Sequence, residues 1–205
     1  MSMVAHDDEM STYTSSDNVS SVSTAKETYN LNNCIFFYGH STGDHRYMSN
    51  FYPSNITITH ACIDGVGSTL FKYPTAEHAI MHMKACLMED QEVADEIMGT
   101  NPKTPLAAKR LGRKVCKSDH TPGWDECKWK LYVGSIAKAV LTAKFEQNPA
   151  LAQKLKATGS NVLAEAAPRD KIWGIGMGAK TAMTGAAWKG QNLLGKTLMA
   201  VRDSI

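Results

Sequence analysis

The chain has 205 residues, a formal net charge of +2 and 43% hydrophobic residues, which suits one domain with an adequate core. No basic run dominates, so the charge neither requires nor excludes nucleic acid. No apolar stretch approaches the roughly 18–20 residues of a bilayer span, and residues 1–30 lack the apolar core of a secretory leader, so the expectation is an intracellular protein, cytoplasmic or nuclear, with no membrane partner.

Residues 1–30 read as a disordered Ser/Thr-rich tail that cannot bury enough apolar surface to offset its ordering entropy. Acidic Asp7, Asp8 and Glu9, with no arginine before Arg46, also argue against a mitochondrial presequence. The domain, residues 31–205, opens on the apolar run Cys34-Ile35-Phe36-Phe37-Tyr38, a strand bounded by Gly39. A polar loop over 39–53 ends in Ser49-Asn50-Phe51-Tyr52. Residues 56–63 and 69–73 form a hairpin across 64–67. Pro74 stops that run, and Thr75 caps a helix over 75–89. Further helices are predicted over 91–98, 104–117, 125–147, 149–157 and 190–203, with a glycine-rich interruption over 173–190. The pattern is that of an α+β domain, predominantly α-helical, with a small β-sheet at one end.

The helix after Pro74 carries the most informative residues. Glu77 sits in its first turn and Lys84 two turns later on the same face, with Ile80, Met81 and Met88, so an acid and an amine are presented together from an apolar surface. Burying both is costly unless they are paired or employed, and such neighbours tune a carboxylate or a lysine toward neutral pH. A buried structural ion pair accounts for the same spacing. Lys109, Arg110, Arg113 and Lys114 offer donors suited to phosphate, or simply a solvated helix face. Asn50 beside Phe51 could hydrogen-bond and stack on a flat base, or pin a loop to the core. After Trp173, Gly174, Gly176 and Gly178 let backbone approach a ligand, without the strand–GxGxxG–helix context of a dinucleotide site. His78 and His82 have the i, i+4 spacing of a metal pair, but no Glu lies between them as in HExxH and no third ligand is evident, so no metal is expected. The five cysteines, Cys34, Cys62, Cys86, Cys116 and Cys127, show no CxxC pair or zinc-like spacing and read as free thiols in a reducing compartment.

In combination the motifs resemble the YbiA-like, or NADAR, domain family over about Asn33–Arg202. They are Phe37-Tyr38, Ser49-Asn50-Phe51-Tyr52, Tyr73-Pro74-Thr75-Ala76-Glu77-His78 with Lys84, Ala107-Ala108-Lys109-Arg110-Leu111-Gly112-Arg113, Trp124, Ala143-Lys144-Phe145, Asp170, Ile172-Trp173-Gly174-Ile175-Gly176 and Asn192-Leu193-Leu194-Gly195-Lys196. Many members carry acidic residues after the Trp-Gly motif; residues 177–190 here carry none. The resemblance implies an N-glycosyl hydrolase that splits a phosphorylated ribose from a nitrogen base and needs no cofactor. The substrate expected is ADP-ribose on guanine, in DNA, RNA or a free nucleotide. The alternatives are a phosphoribosylamino-pyrimidine of riboflavin synthesis or an ADP-ribose-binding module without turnover. Glu77 would stabilise the ribosyl cation or move protons, and Lys84 would attack C1 of the opened sugar as a Schiff base. Arg110 or Arg113 would hold phosphate, Phe51 and Trp173 would sandwich the base, and Asn50, Trp124, Asp170, Gly174 and Gly176 would complete the binding site.

Overall fold

The computed structural model describes residues 30–61, 68–101, 104–117 and 123–205. Residues 1–29 of the tail expected over 1–30, the turn expected over 64–67 and Cys62 lie outside the described residues.

Two separate two-stranded sheets replace the single small sheet expected from sequence. Strands β2 (Pro53–Ala61) and β3 (Ser68–Thr75) form the antiparallel hairpin, pairing Ile56 with Tyr73 and Ile58 with Phe71. Strand β1 (Cys34–Phe37) pairs in parallel with a strand not anticipated, β4 (Val162–Glu165), in the register Phe37 to Glu165. Four residues with so little polar alternation carry too weak a period to be read as a strand. Pro74 does not end β3, because Thr75 still pairs with Pro53 across a register shift. In a two-stranded sheet a missing N–H is tolerated on the outer edge.

The helices are α1 (Ala76–Leu87), α2 (Gln91–Met98), α3 (Pro105–Gly112), α4 (Glu126–Glu146), α5 (Pro149–Lys156), the short α6 (Ala179–Ala182) and α7 (Leu193–Arg202). Helix α3 stops five residues before the expected end at 117: Gly112 packs so closely on Met81 that a side chain there would collide, and Cys116 takes a left-handed φ of 59°. The glycine-rich stretch hides α6. Among the described residues no helix is long and apolar enough to cross a membrane.

Helix α1 is the central element. Ala76, Glu77, His78, Ala79, Ile80, Met81, His82 and Ala85 are all buried, so it is enclosed on every side rather than along one apolar stripe. It packs against β3, α2, α3 and α4, and its first and last turns therefore meet different neighbours.

Candidate active site

Helix α1 begins as the sequence requires: the Thr75 side chain accepts a hydrogen bond from the His78 amide. The Glu77 amide donates to the Asn50 carbonyl at 2.9 Å, tying the first turn to the Ser49–Tyr52 loop. That loop is anchored from below by Lys144, wholly buried, whose ammonium donates to the carbonyls of Tyr47 at 2.7 Å and Ser49 at 2.9 Å. Burial pulls the Lys144 amine down to about 7.

The Glu77 carboxyl is buried and faces a group of charges. Burial lifts it to about 7, with Lys109 and Arg113 pulling down and Asp170 pushing up. Glu165, the last residue of β4, is lifted to about 7 by burial first and then by Asp170; Lys109 opposes, and Glu77 adds to the rise. Its Oε2 is buried without a protein partner. Asp170 closes the group: its Oδ1 accepts from the amides of Ile172 and Trp173, and its Oδ2 lies 3.8 Å from Lys109 Nζ. Three carboxyls and two cations thus sit in mutual electrostatic reach.

Above them opens a cleft of about 530 Å³, lined among others by Tyr38, Phe51, Lys109, Arg113, Glu165 and Asp170. The parallel pairing builds it, because the chain leaving β1 (Tyr38–Ser41) and the chain leaving β4 (Ala167–Asp170) emerge side by side at the carboxyl ends of the strands. The floor of that corner depends on glycine. A side chain at Gly174 would meet the Glu165 carbonyl at 2.8 Å and the Ala167 Cβ at 2.9 Å. The Ile175 amide donates to Glu165 at 2.9 Å, folding the Trp-Gly segment onto the end of β4.

The structure thus gathers Glu77, Asn50, Phe51, Arg113 and Asp170 at one place. Phe51 lines the cleft with Lys109 Nζ 5.6 Å from its ring centre. Other expected residues lie elsewhere. Lys84 Nζ donates to the Gly112 carbonyl at 2.6 Å and sits 4.5 Å from the centre of Trp124 and 5.5 Å from that of Trp129. Seven residues of helix separate it from Glu77 by about 10 Å along the axis, and the two charged groups are not brought together. Burial lowers the Lys84 amine; among its titratable neighbours Cys116 and Glu126 oppose that and Lys117 adds to it. Trp124 belongs to that second site, its indole N–H donating to Glu126 at 2.9 Å. Arg110 is exposed and is not part of the cleft lining, and Trp173 packs on the main core instead of facing Phe51. The Gly176 amide, at a glycine expected to let backbone approach a ligand, donates to the Asp170 carbonyl at 3.1 Å. Glu165 was absent from the sequence-derived site, and Lys109 figured there only as one donor of a basic helix. The available signal for Glu165 was an acid ending a short apolar run five residues before Asp170.

The NADAR domain model matches residues 36–205. The chain belongs to the NADAR domain family. It is 37% identical over 139 residues to N-glycosidase R617 of Acanthamoeba polyphaga mimivirus, covering 67% of this chain and 77% of that protein. It is 30% identical over 165 residues to Protein irg-1 of Caenorhabditis elegans, covering 77% and 74%. The NMR structure of the Escherichia coli protein YbiA superposes with a TM-score of 0.61 at 29% identity, covering 84% of each chain. Among these NADAR relatives an N-glycosidase is named, and a cleft over buried carboxyls that titrate near neutrality suits hydrolysis of an N-glycosyl bond.

Proposed function

We propose that this NADAR protein is an N-glycosidase that removes an ADP-ribosyl group from a nitrogen base, guanine in a nucleic acid or nucleotide being the favoured acceptor. The observation that carries the reading is the pair Glu77 and Glu165, both lifted to about 7 by burial, with Glu77 adding to the rise of Glu165, at a cleft that also offers Lys109, Arg113 and the Phe51 ring. The cleft volume lies within the range of small-molecule sites. The cations suit the two phosphates of ADP-ribose and the ring suits a base.

At neutral pH one carboxyl of such a pair keeps a proton while the other carries charge. Glu77 has two cations pulling it down, Lys109 and Arg113, so it is the better anion. Asp170 raises both carboxyls, but Glu165 has only Lys109 pulling it down and Glu77 adding to its rise, so it is the better acid. Glu165 protonates the departing base nitrogen as the bond to C1 of the ribose breaks. The Glu77 charge, acting through dry protein, stabilises the cationic sugar. Water adds its hydroxyl to C1 and its remaining proton returns to the carboxyl group cluster. Water attack needs no lysine nucleophile; were one used, Lys109 stands beside the carboxyls whereas Lys84 is held at the Gly112 carbonyl.

The test is incubation with a guanine-ADP-ribosylated oligonucleotide, with chromatography and mass spectrometry for free ADP-ribose and restored guanine. Release by the wild type and its loss in Glu165→Gln is expected. No release there, with cleavage of a phosphoribosylamino-pyrimidine, would overturn the substrate assignment. Binding of ADP-ribose without cleavage of either compound would overturn the assignment of an enzyme.

A further inference from the structure

Helix α1 carries a second group of chemistry-bearing side chains that takes no part in the cleft lining. One ring nitrogen of His60 on β2, one of His82 on α1 and the Sγ of Cys86, one helical turn beyond His82, lie within 4.8 Å of one another. The two ring nitrogens of His82 stand 3.7 and 3.8 Å from Cys86 Sγ. The Tyr73 hydroxyl lies 2.8 Å from His60 Nε2 and 2.8 Å from His82 Nδ1. Phe71 stacks on His60 with ring centres 4.4 Å apart. His82 is buried, while His60 and Cys86 are half-buried.

We propose that His60, His82 and Cys86 form a binding site for a zinc-class divalent cation, with water completing the coordination, that staples the β2–β3 hairpin to α1. Two imidazoles and a thiolate are a donor set suited to zinc. Tetrahedral zinc, with bonds of about 2.0–2.1 Å to nitrogen and 2.3 Å to sulfur, keeps its ligand atoms roughly 3.4–3.6 Å apart. The 3.8 Å from His82 Nε2 to Cys86 Sγ is within a few tenths of an ångström of that, and the widest separation in the group closes with a shift of about 1 Å once the His82 ring turns toward the ion. Tyr73 supplies the outer-shell hydrogen bond that metal-binding histidines ordinarily have: it engages His82 at Nδ1 and leaves Nε2, 3.8 Å from Cys86 Sγ, as the nitrogen to turn toward the ion. Binding exchanges the Cys86 thiol proton for the metal. The i, i+4 pair that ligates is thus His82–Cys86. His78, the partner sequence spacing suggested for His82, is instead hydrogen-bonded to Thr75 at 2.7 Å.

The experiment is titration of the metal-free, reduced full chain with Co²⁺ under anaerobic conditions. The wild type should take up one equivalent with a thiolate-to-cobalt charge-transfer band and the strong visible bands of a tetrahedral site. Zn²⁺ should bleach these bands and raise Tm by several degrees. Cys86→Ser should lose the charge-transfer band, His60→Ala should weaken uptake by about tenfold or more, and Cys127→Ser, at an exposed thiol, should behave as wild type. A wild-type protein without the bands overturns the site whatever the variants do. So does a folded Cys86→Ser that keeps them.

Discussion

The two ends of α1 put their buried polar side chains to different uses. In its first turn an acid faces Lys109, Arg113, Glu165 and Asp170 under an open cleft. Toward its last turn an amine, Lys84, is spent on a main-chain carbonyl and two indole rings, and a histidine and a thiol turn to the hairpin. Spacing on a helix puts Glu77 and Lys84 on one face, but a helix enclosed all round meets a different neighbour every turn. Chemistry follows the neighbour.

The sharpest way to break this contrast is at the carboxyls. Glu77→Gln and Glu165→Gln should each lower the rate by about 10²–10³, the usual cost of losing a group placed for transition-state charge. Their stability should move the other way. The folded values are raised, so the folded chain holds protons that the unfolded chain has released between the ordinary carboxylate value and about 7. Stability from this source is present below about pH 4.5 and lost as pH rises through about 7. Melting curves at pH 5 and pH 8 should therefore show wild type losing more stability than either Gln variant. Activity should fall on both sides of neutrality, since the pair works only with one proton between them. A Glu165→Gln enzyme with wild-type turnover would reduce Glu165 to a buried neighbour of Glu77.

The two lysines make the next contrast. Lys109→Met should cost about 10² in kcat/KM, because it removes the cation shared by Glu77, Glu165 and Asp170. Lys84→Met should spare turnover to within a few-fold and act on stability. It loses a charged hydrogen bond of about 1.5–3 kcal/mol and a contact with Trp124 worth about 0.5–2 kcal/mol. If instead borohydride added during turnover leaves a sugar adduct on Lys84, the far end of α1 reacts and the division between the two ends fails.

Much of this was legible in the residues. The helical order, the hairpin and the Thr75 cap follow from local patterns, and Asn50, Phe51, Glu77, Arg113 and Asp170 belong to one place. What escaped depends on pairing between distant segments. Glu165 acquires its meaning from lying opposite Phe37, more than 120 positions earlier, which no local period reports. Trp173 is placed on the base only by the family resemblance; in the fold Gly174 serves the packing of the loop on β4, and the half-buried indole packs against the core. The group around His82 is hidden for the same reason, since His60 arrives from β2.

Lys144 tests how firmly the cleft end of α1 is held. Lys144→Met keeps the stem and removes the donor to the Tyr47 and Ser49 carbonyls, so the loop bearing Asn50 and Phe51 loosens. KM should rise about tenfold with a smaller change in kcat, most of the loss of these two charged hydrogen bonds falling on folding stability and not on binding. The pH signature is distinct. Its folded value is lowered, so between about 7 and the ordinary lysine value of 10.5 the unfolded chain binds more protons and wild-type stability climbs with pH. The Met variant should lack that climb. An unchanged KM would mean that the loop holds itself.

The smallest effect separates neighbours on α3. Arg113 lines the cleft and touches Glu77 electrostatically, whereas Arg110, three residues earlier, points to solvent away from the lining. Arg113→Ala should weaken ADP-ribose binding several-fold, and by less as salt increases, because a phosphate contact is replaced by screening ions. Arg110→Ala should leave the affinity within experimental error at every salt concentration. Calorimetry across a salt series reads both. Equal losses from the two would mean that the phosphates lie along the outer face of α3, and that the cleft between β1 and β4 holds the base alone.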